Sequence, residues 1–338
     1  MLPAIFGLSG LVLTADERAF FKDADPAGYI LFGRNVESRA QVRALTDELR
    51  ALHGRDRLLV SIDQEGGRVA RMKPPVWAAY PAGEAFDRLY DVAPASAIEA
   101  ARANAQALGM DLAEAGISVD CLPLLDVRQP GAHDVIGDRA LGREPQRVAA
   151  LGRATLDGLA RAGVAGVVKH IPGHGRALAD SHKELPTVTA CVQELELDLA
   201  PFRALSGAGI AMTAHVRYTA WDAQAPGTLS PIVVGEVIRK TIGFDGLLLS
   251  DDLDMEALSG TVPERAARAQ AAGCDLALNC WAKMDDMVGI AEALAPMGEA
   301  SAQRLARALA PTAAAAVPLD AALQADLIAR RDRLLALA

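Results

Sequence analysis

Aromatic residues are scarce in this sequence, at 4% of 338 residues, while apolar residues make up 51% and charged residues 23%. A core of ordinary size must therefore be built from Ala, Leu, Val and Ile. Basic residues are outnumbered by acidic ones, and the formal net charge is −9. Because phosphate binding requires a basic surface, this charge argues against nucleic acid as a partner.

Cysteines are few and widely scattered, at Cys121, Cys191, Cys274 and Cys280, with no C-x-x-C pair among them. This spacing argues against a disulfide framework and against a structural zinc site. We expect buried, reduced thiols, which fit a reducing compartment.

Long hydrophobic runs are also missing, since no stretch approaches the roughly 18 uncharged apolar residues of a membrane span. The N-terminal stretch MLPAIFGLSGLVLTADE is apolar, but no Lys or Arg precedes its apolar part. A signal peptide begins with a positive region, so we interpret this stretch as an initial strand. We therefore expect a soluble, cytoplasmic protein with no membrane partner.

A short apolar run, a polar or Gly-containing stretch and a longer amphipathic segment recur along the chain. This alternation is typical of an α/β fold with a parallel sheet. No low-complexity linker divides the chain, so we expect one domain over residues 1–338, with a C-terminal helical segment at about 300–338 packed on it. The predicted strands are 4–7, 28–32, 58–63, 118–122, 164–170, 209–215, 246–251 and 275–279, and the predicted helices include 38–53, 95–115, 147–161, 264–272 and 283–294.

Eight β/α units in a chain of this length favour a closed (β/α)₈ TIM-type barrel over an open sheet. The alternative, a doubly wound sheet, lacks the G-x-G-x-x-G turn after the first strand. Several predicted strands are apolar until their last positions and then carry chemically active groups: Asp63, Lys169 with His170, His215 and Asp251. Because the carboxyl ends of barrel strands surround one central site, these positions predict a shared site.

The segment SIDQEGGRVAR at 61–71 places Asp63 at a strand end, followed by paired glycines that permit a tight turn. A carboxylate there is suited to accept two hydrogen bonds from neighbouring sugar hydroxyls. The alternative is structural, with Asp63 and Glu65 paired to Arg68 and Arg71 to hold the loop.

The segment KHIPGHGRALADSH at 169–182 contains half of the six histidines, and its Gly and Pro residues predict an irregular loop after a strand. Asp180 and His182 are two residues apart and project to the same side of an extended segment. A carboxylate there can bind one ring nitrogen and leave the other poised for proton transfer. The alternative is that the histidines are structural.

The segment GLLLSDDLDM at 246–255 ends an apolar strand with three carboxylates. Strand alternation alone does not decide whether Asp251 or Asp252 faces the barrel axis. We expect chemistry at Asp251 and helix N-capping by Asp252 or Asp254. A weaker signal is the Asp138–Arg139 pair, where Arg139 could clamp a hydroxyl or carboxylate or form only a local salt bridge.

Together these segments resemble glycoside hydrolase family 3, specifically its one-domain bacterial β-N-acetylhexosaminidases of cell-wall recycling. The matching pieces are IDQEGGRV at 62–69, KHIPGHG at 169–175, DSH at 180–182 and SDDL at 250–253. Weaker matches are GLSG at 7–10, PLLDV at 123–127 and AHV at 214–216. Two departures from the family pattern are Arg176-Ala177, in place of small polar residues, and Ile171, in place of a common Phe.

The resemblance implies a TIM-type barrel and retaining hydrolysis of β-linked N-acetylglucosamine, with a small muropeptide fragment as substrate, no cofactor or metal, and a monomeric enzyme. It implies that Asp251 is the nucleophile and that His182, partnered by Asp180, is the acid/base. Many β-glucosidases of the family have a second large domain, and their acid/base comes from elsewhere. This sequence has no room for such a domain, which strengthens the case for His182 as the acid/base. The residues implied to hold the sugar ring are Asp63, Arg71, Arg139, Lys169 and His170.

Three alternatives stay open. A metal-dependent barrel hydrolase could use His170, His174, His182 and His215 with Asp251, although the His-x-His pair of such barrels is missing and Lys169 would repel a cation. A sugar-binding barrel without activity is a second alternative. The third is phosphorolysis, because a neutral imidazole does not repel phosphate as a carboxylate would.

Overall fold

The computed structural model describes residues 1–313 and 317–338. Eight parallel strands close into one barrel, each paired with the next along the chain and the last paired with the first. The barrel strands are Leu2–Gly7 (β1), Pro26–Leu31 (β2), Leu59–Ile62 (β3), Val119–Asp120 (β4), Ala165–Ile171 (β5), Ile210–Thr213 (β6), Leu247–Asp252 (β7) and Leu276–Asn279 (β8).

Helices connect the strands and surround the barrel. A π-helical segment, Val233–Ile242, stands between β6 and β7, and a short parallel pair, Thr187–Val188 with Arg217–Tyr218, lies outside the barrel. The α-helices are Ala15–Ala24 (α1), Arg39–His53 (α2), Gly83–Val92 (α3), Pro94–Glu114 (α4), Pro145–Arg161 (α5), Val192–Ala204 (α6), Val262–Ala272 (α7), Met284–Ala293 (α8), Glu299–Leu309 (α9) and Ala321–Leu335 (α10).

The predicted (β/α)₈ fold class is confirmed, and each of the eight predicted strands overlaps a barrel strand. The five named helices agree with α2, α4, α5, α7 and α8 to within two residues at either end. Periodicity was sufficient here because every helix must bury one apolar face against the barrel.

Two apolar layers hold the structure together, one inside the barrel and one between the strands and the helices. Along β1, Ala4 and Phe6 belong to the outer layer and Ile5 to the inner one. Side chains alternate between the two faces of a strand, so a barrel strand contributes to both layers.

The last two helices pack against the rest of the chain. Leu305 and Leu309 of α9 join the inner apolar layer of the barrel. On α10, Gln324 donates to the carbonyl of Ala107 at 3.0 Å, and Arg331 donates to Asn104 at 3.0 Å. Within residues 1–313 and 317–338, no helix has both the length and the apolar character needed to cross a bilayer.

All four cysteines are free thiols. Cys121, Cys274 and Cys280 are buried, as expected, whereas Cys191 is exposed just before α6. The expectation of buried thiols is therefore wrong for Cys191, because its position at the surface end of a helix leaves it outside both apolar layers.

Candidate active site

A cavity of about 170 Å³ lies at the carboxyl ends of the barrel strands. One residue predicted to belong to the site, Asp180, contacts His182 without lining the cavity. The predicted site residues that line the cavity are Asp63, Arg71, Arg139, Lys169, His170, His182 and Asp251.

Asp251 is on the inner side of β7. Leu247 and Leu249 of the same strand belong to the inner apolar layer, and strand alternation places Asp251 on the same side. Its carboxylate accepts a hydrogen bond from the amide of Asp252 at 2.8 Å. The choice between Asp251 and Asp252, which the sequence left open, is therefore made by the two leucines that precede them.

The charge of Asp251 is set by opposing effects. Burial raises the pKa of this carboxyl, but the imidazoles of His215 and His170, the Asp252 amide and the Lys169 ammonium outweigh burial. Together they hold the pKa of Asp251 below its ordinary value. Asp251 is therefore an ionised carboxylate at neutral pH, as a nucleophile has to be.

A chain of alternating charges forms one wall of the cavity. Lys169 Nζ is 2.7 Å from Glu65 Oε1 and 3.2 Å from Asp63 Oδ1. Arg139 donates two hydrogen bonds to Glu65, at 2.7 and 2.8 Å, and Arg71 donates to Asp63 at 3.1 Å. The two carboxylates thus hold three cationic side chains in place.

Burial and ion pairing shift the pKa values of these groups in opposite directions. Burial raises the pKa of Glu65, but Lys169 and Arg139 lower it to about 2. The pKa of Asp63 is also below its ordinary value, because Lys169 and Arg71 outweigh the effect of burial. Burial lowers the pKa of Lys169, but the two carboxylates raise it above its usual range. All these groups are therefore ionised at neutral pH.

The local ion pairs considered from the sequence are only partly present. Arg71 does pair with Asp63, but Arg68 pairs on the surface with Asp138 at 2.8 Å. Arg139 does not form the local pair with its neighbour and instead reaches Glu65, which is 74 residues away in the chain. The purely local interpretation of Arg139 is therefore wrong, because barrel closure brings the two loops together.

Asp126 accepts hydrogen bonds from two histidines that line the cavity. Its Oδ2 accepts from His170 Nδ1 at 2.8 Å, and its Oδ1 accepts from the amide of His174 at 2.7 Å. Burial raises the pKa of Asp126, but His170 and His174 lower it to about 2. Burial and the neighbouring His170 lower the pKa of His174 to about 4. Asp126 therefore orients His170, whereas His174 is a neutral ring packed beside it.

His182 and Asp180 lie on a loop that leaves β5 and contains no helix or strand, as predicted. Asp180 Oδ1 accepts from His182 Nδ1 at 2.8 Å. The His182 side chain is 63% exposed and that of Asp180 is 19% exposed. Burial raises the pKa of Asp180, but hydrogen bonds from the amide and the ring of His182 hold it below its ordinary value.

The start of the loop is anchored by close contacts. A side chain at Gly175 would place its Cβ 2.0 Å from the carbonyl oxygen of Val127, so only glycine fits there. Arg176 pairs with Asp198 of α6 at 2.6 Å. The departure from the family pattern at Arg176 thus adds a contact that ties the loop to a helix.

Helix capping by Asp252 or Asp254 is not found. The turn after β7 continues to Gly260, and Thr261 caps α7. Asp252 instead accepts hydrogen bonds from backbone amides within this turn and on β8. The capping expectation was wrong because the helix starts ten residues after β7 ends, and not directly behind it.

Metal ligation was considered from the sequence for His170 and His215, among other residues. His170 is bonded to Asp126, and His215 uses both ring nitrogens, on Thr228 Oγ1 at 2.7 Å and on the Asp252 carbonyl at 2.9 Å. His215 is not among the residues that line the cavity. In the part of the chain that the structure describes, no group of three or more His, Cys, Asp or Glu side chains is arranged to hold a metal ion.

The sequence analysis did not assign Glu65, His174 and Asp126 to this site. Glu65 was considered only for local pairing, His174 only as a metal ligand, and Asp126 only as part of the weak match at 123–127. Asp126 could have been identified from its position after a predicted strand, by the same reasoning that identified Asp63. Glu65 had no comparable signal, since its partners come from other loops.

The chain matches known proteins along most of its length. Residues 8–310 match the model of the N-terminal domain of glycosyl hydrolase family 3. Beta-hexosaminidases from Alkalilimnicola ehrlichii and Bordetella avium are 41% and 38% identical to it, over 82% of this chain and 80% of each relative.

Solved structures are similar over nearly the whole fold. NagZ from Neisseria gonorrhoeae in complex with N-trifluoroacetyl-D-glucosamine has a TM-score of 0.88 and 33% identity, covering 100% of this chain and 98% of that one. A family 3 β-N-acetylglucosaminidase from Paenibacillus has a TM-score of 0.87 and 33% identity, covering 98% of this chain and 67% of that one.

Proposed function

The chain belongs to glycosyl hydrolase family 3, and on that premise we propose that it is a retaining β-N-acetylglucosaminidase acting on cell-wall muropeptide fragments. One observation carries this proposal: an ionised Asp251 and the imidazole of His182 line the same cavity, and Asp180 holds that imidazole from outside the cavity. The names of the relatives and the N-acylglucosamine held by the Neisseria structure support the choice of sugar.

In the first step, Asp251 attacks the anomeric carbon and the bond to the leaving oxygen breaks. The imidazolium of His182 gives its proton to that oxygen, so the leaving group departs as an alcohol and a glycosyl ester remains on Asp251. In the second step, neutral His182 takes a proton from water, whose oxygen attacks the anomeric carbon and frees Asp251. Two inversions give net retention of configuration.

An imidazole suits this double role because it titrates near neutral pH without much tuning by its surroundings. Asp180 supports the role in two ways: it places a negative charge beside the ring, and its hydrogen bond to Nδ1 orients the ring. The exposed position of His182 keeps it accessible to a leaving group that extends out of the cavity.

The charged wall is suited to bind the sugar ring. Asp63 and Lys169 are held rigidly by their mutual pairing and by Arg71. Preorganised groups of this kind bind hydroxyls without first reorganising. We assign Asp63, Arg71, Lys169, Arg139 and His170 to this role.

We also propose that a monomer carries out the reaction in the cytoplasm, as part of peptidoglycan recycling. The groups assigned to the two steps all lie on this chain, so the proposed chemistry requires no residue from a second subunit. A monosaccharide and a shortened muropeptide are the expected products.

The test is hydrolysis of aryl β-N-acetylglucosaminide and aryl β-glucoside by the wild-type protein and by Asp251→Ala. We expect the N-acetylglucosaminide to be preferred, and Asp251→Ala to lose about 10⁴-fold in kcat/KM, roughly 5.5 kcal/mol of transition-state stabilisation. Asp326→Ala, which changes an exposed carboxylate on α10, is the matched control. A fluorosugar that slows the second step should add its mass to the peptide containing Asp251, and failure to label it would contradict the covalent mechanism.

A further inference from the structure

Two more carboxyl groups follow the nucleophile and have no part in the two chemical steps. Asp252 Oδ1 and Asp254 Oδ2 both accept from the same backbone amide, that of Cys280, at 3.3 and 3.1 Å. A shared donor requires the two carboxyls to lie side by side. Asp252 also lines the cavity, so this pair belongs to the wall of the site.

The carboxylates of Asp252 and Asp254 accept few hydrogen bonds for two negatively charged groups. Asp252 Oδ1 accepts also from the amide of Asp254 at 3.1 Å, and Asp254 Oδ2 accepts from Asn279 Nδ2 at 2.7 Å. Asp254 Oδ1 is buried and has no donor among the described residues. One proton held between the two carboxyls supplies a donor to this unsatisfied group.

The guanidinium groups near the pair donate their hydrogen bonds to backbone carbonyls and not to the two carboxyls. Arg34, which follows β2, donates to the carbonyls of Leu8 and Cys280. Arg265 on α7 donates to the carbonyls of Leu253 and Met255. Neither guanidinium forms an ion pair with the two carboxyls within residues 1–313 and 317–338.

The remaining titratable neighbours do not neutralise the pair either. His215, which follows β6, contacts the backbone carbonyl of Asp252 and not its carboxyl. Asp251 adds a negative charge from the preceding position. Lys169 is engaged by Asp63 and Glu65 across the cavity.

Two adjacent, partly buried carboxylates that lack an ion-pair partner among the described residues are unfavourable. Burial raises the pKa of Asp252 to about 8, and the neighbouring Asp254 adds to this effect. Cys280, directly after β8, contacts the pair through its amide, and its own thiol pKa is raised by burial and by Asp252. The thiol is therefore neutral at the pH values at which Asp252 titrates.

The pair is linked to the nucleophile through the backbone. The amide of Asp252 donates to Asp251 Oδ1 at 2.8 Å, and the amide of Leu253 donates to the carbonyl of Leu278 on β8 at 2.9 Å. The turn that joins the two carboxyls to β8 is thus the turn that aims a hydrogen bond at the attacking carboxylate.

We propose that Asp252 and Asp254 share one proton and act as a positioning pair for the nucleophile, so that losing this proton impairs the glycosylation step at alkaline pH. This inference rests on the proposed function of Asp251. When the proton is released to solvent, the two carboxylates repel each other, the shared Cys280 amide can no longer hold both, and the Asp252 amide loses its alignment with Asp251.

The test is the pH profile of kcat/KM on an aryl β-N-acetylglucosaminide whose phenol is acidic. Such a leaving group needs little protonation, so titration of His182 has little effect on this profile. We expect the wild-type profile to fall with a midpoint near pH 8. Asp252→Asn supplies a permanent N–H donor, so it should keep activity within about threefold at pH 7 and lose this alkaline fall.

Asp252→Ala should lose about tenfold or more in kcat at pH 7 with KM nearly unchanged, because it removes positioning and not binding. Glu256→Gln is the matched control, since it changes an exposed carboxylate four residues further along the chain. The proposal is overturned if Asp252→Asn keeps the wild-type alkaline fall, or if it is as impaired at pH 7 as Asp252→Ala.

A second readout does not depend on hydrolysis. With ¹³C-labelled aspartate, one carboxyl resonance of the wild type should titrate near pH 8 and be missing in Asp252→Asn. The absence of such a resonance in the wild type overturns the shared proton even if the enzyme is active. A protein that shows this resonance but does not cleave the glucosaminide refutes the proposed function and leaves the shared proton supported.

Discussion

Asp180 Oδ1 accepts two hydrogen bonds from His182, one from its backbone amide at 3.0 Å and one from its ring Nδ1 at 2.8 Å. One oxygen therefore fixes the local backbone and the ring together. With Nδ1 donating to Asp180, Nε2 is the nitrogen left for proton transfer. The pair is a self-contained unit, and the loop can carry it without loss of its internal geometry.

If His182 is the acid, its importance should depend on the leaving group. His182→Ala should lose about 10³-fold in kcat/KM on a glycoside with a poorly acidic leaving group, and about tenfold or less with an acidic phenol. Asp180→Asn keeps an acceptor for Nδ1 but removes the negative charge beside the ring, so we expect an intermediate loss. Steady-state kinetics over a series of aryl leaving groups measures both effects.

The matched control for this series is Lys183→Ala, which changes the exposed side chain next to His182. It should leave the dependence on the leaving group unchanged. Equal losses by His182→Ala on good and poor leaving groups would show that the imidazole does not protonate the leaving oxygen.

Glu65 should stabilise the fold at neutral pH and lose this effect in acid. Its pKa is about 2 in the folded protein and has a reference value of 4.5, so the unfolded chain binds the proton more readily. The stabilisation is fully present above about pH 4.5 and fades as the pH falls toward 2. Glu65→Gln should lower the free energy of unfolding by about 3 kcal/mol at pH 7 and by much less at pH 3.

Urea denaturation midpoints at pH 7, 5, 4 and 3 measure this difference. Glu292→Gln, at an exposed position of α8, is the control and should follow the wild type at each pH. A Glu65→Gln deficit that stays constant across these pH values would mean that the carboxylate is not held ionised by Lys169 and Arg139.

Much of this site follows from one regularity of the sequence. Asp63 and Asp251 each end an apolar strand, and the ends of parallel barrel strands meet at one face. Periodicity therefore identified these groups without any knowledge of contacts. The short spacing between Asp180 and His182 was similarly sufficient, because their contact is local.

Contacts between distant loops could not be predicted in this way. Glu65 binds Arg139 across 74 residues, and His170 binds Asp126 across 44. Both contacts depend on the register in which neighbouring strands close the barrel, and a one-residue slip would move each side chain to the other face. A single sequence carries no direct signal of that register.

The loop that carries His182 should change its protection when the site is filled. Residues 173–177 are held by Gly175 against Val127 and by Arg176 against Asp198, whereas 178–184 has no regular structure and includes the exposed Leu178. We expect saturating N-acetylglucosamine or a transition-state mimic to slow amide hydrogen exchange mainly at 178–184. Unchanged exchange across 173–184 would contradict ordering of this loop upon binding.

Chelation should leave the activity unchanged. The imidazoles of His170 and His215 are already hydrogen-bonded within the protein, and the Lys169 ammonium on the cavity wall disfavours a second cation. Hydrolysis measured before and after dialysis against EDTA should therefore agree within error. A loss of activity that zinc or another divalent ion restores would instead support the metal-dependent alternative.

Water and not phosphate should accept the sugar in the second step. An imidazole does not repel phosphate, so phosphorolysis depends on whether the cavity can bind that anion. Arg71, Lys169 and Arg139 are each paired with Asp63 or Glu65, and a phosphate would have to displace a buried carboxylate to reach them. We expect free N-acetylglucosamine as the product, at the same rate with and without added phosphate. Formation of the sugar 1-phosphate, detected by ³¹P NMR, would show that the cavity accepts phosphate despite these ion pairs, and it would assign the enzyme to phosphorolysis.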